Sequence, residues 1–380
     1  MFIGGLIAEV INAVTIIIIA RLLSPEEMGI YGLSFVIPGL FTIFSSLGLG
    51  QALTRYLAGF QSEGRWNDAK RLIRVGFVFQ GGLSCLLAVL MFFGAVPIAT
   101  LVLKRPDFSG ILQLTSSLVI MQSIINMVSA AFIGLERMDL RAILVVVFSI
   151  VKAIFSPLLV IRGFGVNGVI YGHLIGTGAA AILALVLIVF YLRGKSGDVG
   201  QPSEESLSDM LRFGFPLFLS TFLVQINMSY RGLLLAWFAD NVTIGNLDIA
   251  TKFLSLVTLF TMPIAVTIYP TFSKFNFNLQ PEVLKALYRS SIRYATLIVV
   301  PAAIIIAILA GPGISILFGT RYEFAPMFLS LSLLPFLAVG LGSLARTASV
   351  LASSALTSLK ASAITIDMAT KAAEARNGLL

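Results

Sequence analysis

The chain has 380 residues, of which 58% are apolar and only 12% charged, whereas soluble domains carry about a quarter charged residues. That balance, with a mean hydropathy of +0.98, excludes an ordinary soluble domain and defines a polytopic membrane protein. The net charge of +8 would point to nucleic acid in a soluble chain. Here the basic residues lie in short loops between apolar runs, as a topology signal does, so no nucleic-acid partner is expected. One His and one Cys, Cys85 inside an apolar run, leave no disulfide framework and no thiolate metal cluster. The usual nucleophile constellations are largely excluded too, so neither an enzyme nor a cofactor is expected.

Apolar runs of the roughly 20 residues that a bilayer core requires occupy about 2–20, 30–53, 75–101, 111–134, 142–161, 168–192, 211–238, 245–269, 291–318 and 325–351. None alternates as a barrel strand does, so about ten transmembrane helices and an all-α fold are expected. The first run opens without a basic leader or a cleavage site and reads as a retained helix. Pro38, Pro157, Pro216, Pro263, Pro301 and Pro335 interrupt the runs and read as tolerated kinks. On the sixth run Gly168, Gly172, Gly176, Ala180 and Ala184 recur every fourth position, the smooth stripe along which helices approach closely in lipid. His173 sits beside it, as a packing residue or a proton relay. Gly163, Gly165 and Gly168 spell G-x-G-x-x-G, but they join two membrane helices rather than a strand and a helix, so no phosphate cradle is expected.

The chain repeats itself. ARLLSPEEMGIYGL, Ala20 to Leu33, has its counterpart in AWFADNVTIGNL, Ala236 to Leu247. Setting Ala20 on Ala236 and Gly29 on Gly245 gives one shift of 216 residues (236 minus 20, 245 minus 29). The same shift carries Arg105, Asp107 and Phe108 onto Arg321, Glu323 and Phe324. A parallel internal duplication follows. It divides the chain into an N-terminal six-helix lobe (1–193), a linker rich in Gly, Ser and acidic residues (194–210), a C-terminal lobe of four helices (211–351) and a polar amphipathic tail (352–380). Adding 216 to the fifth and sixth runs asks for two further helices that the sequence does not supply, so the second lobe is expected to be incomplete.

Charge sets the orientation. Alternate loops hold Arg55, Arg65, Lys70, Arg71 and Arg74, then Arg137 and Arg141, then Arg193, Lys195 and Arg212, then Lys274, Lys285, Arg289 and Arg293. The other set holds only Arg21, Lys104, Arg105, Arg162 and Arg321. The richer set should face the cytoplasm, with the N-terminus inside and Ser24 to Glu27 outside. Polar groups at membrane depth are Glu9 and Asn12 on the first run, Lys152 on the fifth, Gln225, Asn227 and Arg231 on the seventh, and Asp248 with Lys252 on the eighth. A charge at mid-bilayer costs about 2.5 to 3.5 kcal/mol on insertion scales, so such groups face a wet cavity or a partner. Asp248 and Lys252, four apart, can neutralise each other, and Arg21 and Arg55 can snorkel from span ends. Glu9 has no local partner and its repeat equivalent is Gln225, so Glu9 is expected to line a shared central cavity.

ARLLSPEEMGIYGL, GLGQALTRY (Gly48 to Tyr56), RLIR (Arg71 to Arg74), FIGLERMDLRA (Phe132 to Ala142) and GFGVNGVIYGHLIG (Gly163 to Gly176), in that order, resemble the oligosaccharide flippase family over nearly the whole chain to about residue 350. That family belongs to the superfamily of multidrug extruders and lipid II flippases. The resemblance implies two lobes around a V-shaped central cavity opened alternately to the two sides of the plasma membrane. The substrate it implies is a polyprenyl-linked oligosaccharide, with Arg21, Arg55 and Lys252 holding the phosphate. Asn12, Gln225, Arg231 and Asp248 would line the cavity, and Glu9 would bind a coupling H+ or Na+. Tyr230 stands before Arg231 where the family carries an acidic residue. A drug extruder of the same superfamily and a non-transporting membrane scaffold are the alternatives.

Overall fold

The computed structural model describes residues 2–195, 207–255 and 300–334. Packing groups residues 1–249 with 314–325 into one compact unit, and 250–313 with 326–380 into a second. The lobe expected over 1–193 lies wholly within the first, and residues 211–249 join it there. The tail falls outside the described residues, as does most of the linker, and so does the expectation of an incomplete second lobe.

Within the first unit the order is α1 (Phe2–Leu22), α2 (Pro25–Leu33), α3 (Val36–Ser46), α4 (Leu49–Ser62), α5 (Trp66–Phe93), α6 (Ser117–Gly134), α7 (Met138–Leu159), α8 (Gly165–Arg193) and α9 (Leu207–Phe238). A further helix, α10, spans 241–255, and α11 is Ala310–Phe318. The described residues contain no strand. Six helical stretches among them are long and apolar enough to cross a membrane, or up to seven if a bent pair is one span. The figure of ten is not reproduced by this count, because the runs near 245–269, 291–318 and 325–351 are described only in part. Phe93, Phe190 and Phe238 are about four-fifths exposed, a placement that is favourable only where lipid rather than water meets them. Cys85 is exposed as well.

One boundary differs from the periodicity. The run 30–53 is not one helix. Ser24 caps α2 through a capping box, its hydroxyl accepting from the Glu27 N–H at 3.2 Å while the Glu27 carboxylate accepts from the Ser24 N–H at 2.9 Å, with Pro25 in the first turn. The span therefore starts at Pro25 and runs through α2 and α3. It stops where Leu47 (φ +41°) and Gly48 (φ +80°) turn left-handed. There the backbones of Gly48 and Gly214 touch, so closely that a Cβ on Gly48 would stand 2.0 Å from the Gly214 carbonyl oxygen. The stretch Met138–Arg193, 56 residues long, is far longer than one crossing and divides into α7 and α8, in agreement with the separate runs 142–161 and 168–192. Gly163 (φ +91°) and Gly165 (φ +53°) fold it back on itself, so the glycines of the rejected motif make the turn of a helical hairpin.

The small-residue stripe of α8 closes that hairpin. Cβ atoms on Gly168, Gly172 and Gly176 would meet Leu159, Ser156 and Phe148 of α7 at 2.9, 2.3 and 3.1 Å. Ala180 and Ala184 continue the stripe, fully buried. On its other side α7 packs on α1, where the Asn12 amide donates to the Ser149 hydroxyl at 3.0 Å.

The duplication is visible as reciprocal contact. A Cβ on Gly29 would lie 2.0 Å from the carbonyl oxygen of Asn241, and one on Gly245 would lie 1.9 Å from that of Pro25. Pro25 and Asn241 are separated by the same 216 residues as Gly29 and Gly245, so α2 and α10 cross on equivalent glycines, each seated on the other's first turn. The ends of α1 and α9 are clasped in the same reciprocal way. Arg105 donates to the carbonyls of Ala236, at 2.9 Å, and Ala239, and to the Asn241 side chain. The Tyr322 hydroxyl donates to the carbonyls of Ala20, at 2.8 Å, and Leu23, at 3.4 Å. Ala20 and Leu23 are the repeat equivalents of Ala236 and Ala239. Trp237 Nε1 donates to the Val102 carbonyl, and its equivalent Arg21 donates to those of Leu317, at 2.9 Å, and Ile316. Each repeat thus satisfies the last carbonyls of the other's first helix, groups that no helix can pair internally.

Two substitutions test these contacts. Gly172→Val should lower the unfolding midpoint of the purified protein by the equivalent of roughly 1–3 kcal/mol, while Gly82→Ala, with open space around it, should leave it unchanged or raised. Tyr322→Phe strands two buried carbonyls and should cost about 1–3 kcal/mol in the same denaturation measurement.

Candidate functional site

A cavity of about 750 Å³ lies inside the first unit, within the size range of pockets that hold drug-sized molecules. Its wall is built by α3 through α9. Phe35 precedes α3, which gives Pro38 and Thr42; α4 gives Gln51 and Thr54, α5 gives Gln80, and α6 gives Gln122, Asn126 and Ser129. Arg141 and Val145 come from α7, His173 from α8, Thr221 and Gln225 from α9. The small residues of the wall, Gly39 and Gly50, sit where neighbouring helices approach, Gly39 against the Gln225 amide and Gly50 against Ala130.

Among the described residues that line the cavity, Arg141 is the only one with a permanent charge, and none is a carboxylate. The rest of the polar lining is His173, hydroxyl residues such as Thr42 and Ser129, and the amides Gln51, Gln80, Gln122, Asn126 and Gln225. A carboxamide offers both a donor and an acceptor without net charge, so this wall can pair with many hydroxyls while its field remains weakly positive.

Of the site residues read from the sequence, Gln225 alone lines this cavity; its amide donates to Ser229 at 3.4 Å. Glu9 is exposed on α1 and is not part of the wall. Asn12 is engaged with Ser149 at the α1–α7 interface. Asp248 lies against Gly32, its carboxylate 3.4–3.7 Å from the position of a Cβ there, which places it at the α2–α10 crossing. Arg231 is exposed on α9. Lys252 belongs to the second unit. Arg21 has its guanidinium on the carbonyls at the end of α11, a structural use that the sequence reading did not include. Arg55 is exposed on α4, one helical turn past Gln51, with its guanidinium 4.3 Å from the centre of the Phe213 ring. A cation–π contact of this kind does not use up the N–H donors of the guanidinium.

The residues that the sequence reading missed are Gln51, Gln80, Gln122, Asn126 and Arg141. The signal for the amides was present, since each stands inside or beside an apolar run where polar groups are expensive. Arg141 was read only as a loop charge, because it lies three residues into α7.

The fold is that of a known class of membrane transporters. A multidrug resistance MATE family transporter of the MOP superfamily, in its inward-facing conformation, aligns with a TM-score of 0.67 at 19% identity over 86% of this chain and 76% of its own. A MATE structure in a bent conformation aligns with a TM-score of 0.51 at 18% identity, over 87% and 75%. No curated protein sequence matches significantly. The family model described as polysaccharide biosynthesis protein matches residues 18–325, and the chain belongs to that family.

The placements of Arg21 and Arg55 separate by experiment. Arg21→Gln removes donors to two helix-end carbonyls and should destabilise the protein by about 1–2 kcal/mol. Arg55→Gln loses an exposed cation–π contact and should cost roughly 0.5–1 kcal/mol. Denaturant unfolding in detergent measures both.

Proposed function

We propose that this protein is a flippase that moves a polyprenyl-linked oligosaccharide from the cytoplasmic to the outer leaflet of the plasma membrane, for surface polysaccharide synthesis. The observation that carries the reading is the charge of the cavity, one arginine, many neutral amides and no carboxylate among the described lining residues. A glycan brings hydroxyls, which amides pair, and the carrier brings phosphate, which a guanidinium binds in bidentate fashion. Family membership, and a fold shared with structures of transporters, support it. In this reading Arg141 holds the phosphate inside the cavity. Arg55, one turn beyond Gln51, receives it at the rim, and the prenyl chain stays in lipid.

The loop charges orient the protein with the N-terminus and the turn at Gln61 to Lys70 cytoplasmic. Movement proceeds by alternating access without covalent chemistry. Glu9 and Asp248 of the first unit are the carboxylates assigned to a coupling H+ or Na+, and Lys252 is the phosphate candidate of the second. A drug extruder for cations is the second reading. It is disfavoured by the same lining, since a desolvated cation beside Arg141 with no carboxylate to receive it would be repelled.

Deleting the gene should leave lipid-linked oligosaccharide in the cytoplasmic leaflet. Restoring the chain should return it to the outer leaflet, and Arg141→Gln should reduce that return at least tenfold, as expected for loss of a charged hydrogen bond, at unchanged membrane level. Resistance to cationic drugs without any change in glycan leaflet would establish the extruder instead. Impermeant labelling of Ser62→Cys in a Cys85→Ser background should fail from outside intact cells and succeed in opened ones.

A further inference from the structure

Two polar atoms on the cavity wall have been withdrawn from water without receiving a partner. Gln80 is 2% exposed. Its amide nitrogen donates to the Ser123 hydroxyl at 2.9 Å and approaches the Ser123 carbonyl oxygen at 3.3 Å. A carbonyl can only accept, so the orientation of the amide is fixed by chemistry, and Gln80 Oε1 is left with no hydrogen bond. His173 is held between Phe35 and Phe148, ring centres 4.5 and 5.2 Å away. Its Nδ1 is buried and also without a hydrogen bond. Both residues belong to the lining of the 750 Å³ cavity.

Buried polar atoms are nearly always paired, and an orphan costs the full desolvation of the group. Neither atom offers surface to a water-sized group in this structure, so two orphans on residues of one cavity favour a ligand that supplies hydrogen bonds once the wall shifts to admit it. Gln80 Oε1 can only accept, so it requires a donor. The unpaired His173 nitrogen accepts or donates according to tautomer, and two aromatic neighbours fix its ring as an apolar face beside that polar point. A neutral hydroxyl fits the first position, and a hydroxyl on a ring with C–H faces fits the second. A phosphate oxygen offers no donor to Gln80 and belongs at Arg141.

We propose that Gln80 and His173 form a hydroxyl-recognising subsite for the sugar portion of the substrate, separate from the phosphate contact at Arg141. The proposal rests on the flippase reading and adds to it which side chains read the glycan. It makes sugar recognition a property of α5 and α8, with Ser123 of α6 as the positioning residue for the Gln80 amide.

The test is equilibrium binding to the purified full chain in lipid nanodiscs, with two probes: farnesyl diphosphate, and farnesyl diphosphate bearing one N-acetylhexosamine. The sugar-bearing probe is expected to bind about tenfold tighter, the scale of a satisfied buried hydrogen bond. Gln80→Leu and His173→Phe, both close in shape, should each reduce that ratio severalfold towards one while leaving farnesyl diphosphate affinity unchanged. His173→Asn, which keeps a donor and an acceptor, should retain part of the ratio and guards against loss through misfolding. Arg141→Gln should weaken both probes equally. A ratio of one in the unmodified protein, or a ratio unaltered in both apolar variants, overturns the subsite while leaving the flippase reading in place. Failure of both probes to bind the unmodified protein overturns the flippase reading and the subsite with it.

Discussion

The constraint on which the first unit depends is backbone contact between the two repeats at Gly29 and Gly245. Each glycine is pressed on a first-turn carbonyl of the other helix, at distances where any β-carbon would overlap. Close approach of that kind replaces the hydrophobic drive that lipid does not provide. Once α2 and α10 cross there, the ends of α1 and α9 come within reach of the opposite repeat. Arg105 and Tyr322 then reach equivalent pairs of terminal carbonyls. Arg105 in one repeat and Tyr322 in the other do the same work from positions that are not repeat equivalents, since Arg105 corresponds to Arg321.

That arrangement also explains what becomes of charge in this chain. An arginine near a span end, such as Arg21, can serve by neutralising the dipole end of a neighbouring helix as well as by meeting an anionic ligand. Arg21 does the former, on Ile316 and Leu317. The cavity is left with Arg141 and a ring of amides. Among the described lining residues its chemistry is one of hydrogen bonding around a single guanidinium. The left-handed turns at Leu47–Gly48 and Gly163–Gly165 serve the cavity in the same indirect way. They end α3 early and fold α8 back on α7, which brings Gln51 and His173 onto one wall.

Much of the fold was legible in the residues. Composition alone determined that the protein spans a membrane through helices. The shift of 216 residues determined that it is duplicated. The four-residue spacing from Gly168 to Ala184 determined which face of α8 would be buried, and α7 fills that face. Helix boundaries were less legible. The run 30–53 is continuous in hydropathy, and only the capping box at Ser24 and the left-handed pair at Leu47 and Gly48 show where its helices start and stop.

The site was decided by the tertiary structure. Gln225 could be found from sequence because its polarity recurs at the repeat-equivalent position, yet its equivalent Glu9 lies exposed on α1 and not on the wall. Periodicity says which residues share one helix face. It cannot say which of several faces looks onto lipid, onto another helix or onto a cavity, because all three can be lined by the same small and apolar residues. Membership of the cavity is set by how seven helical segments converge, and that depends on where glycines allow backbones to touch. The sequence by itself determined the membrane class, the duplication and the packing stripe, since these follow from transfer free energy and spacing along one chain. Only the tertiary structure decided that Arg21 closes a helix end while Arg141, Gln80 and His173 line the same cavity.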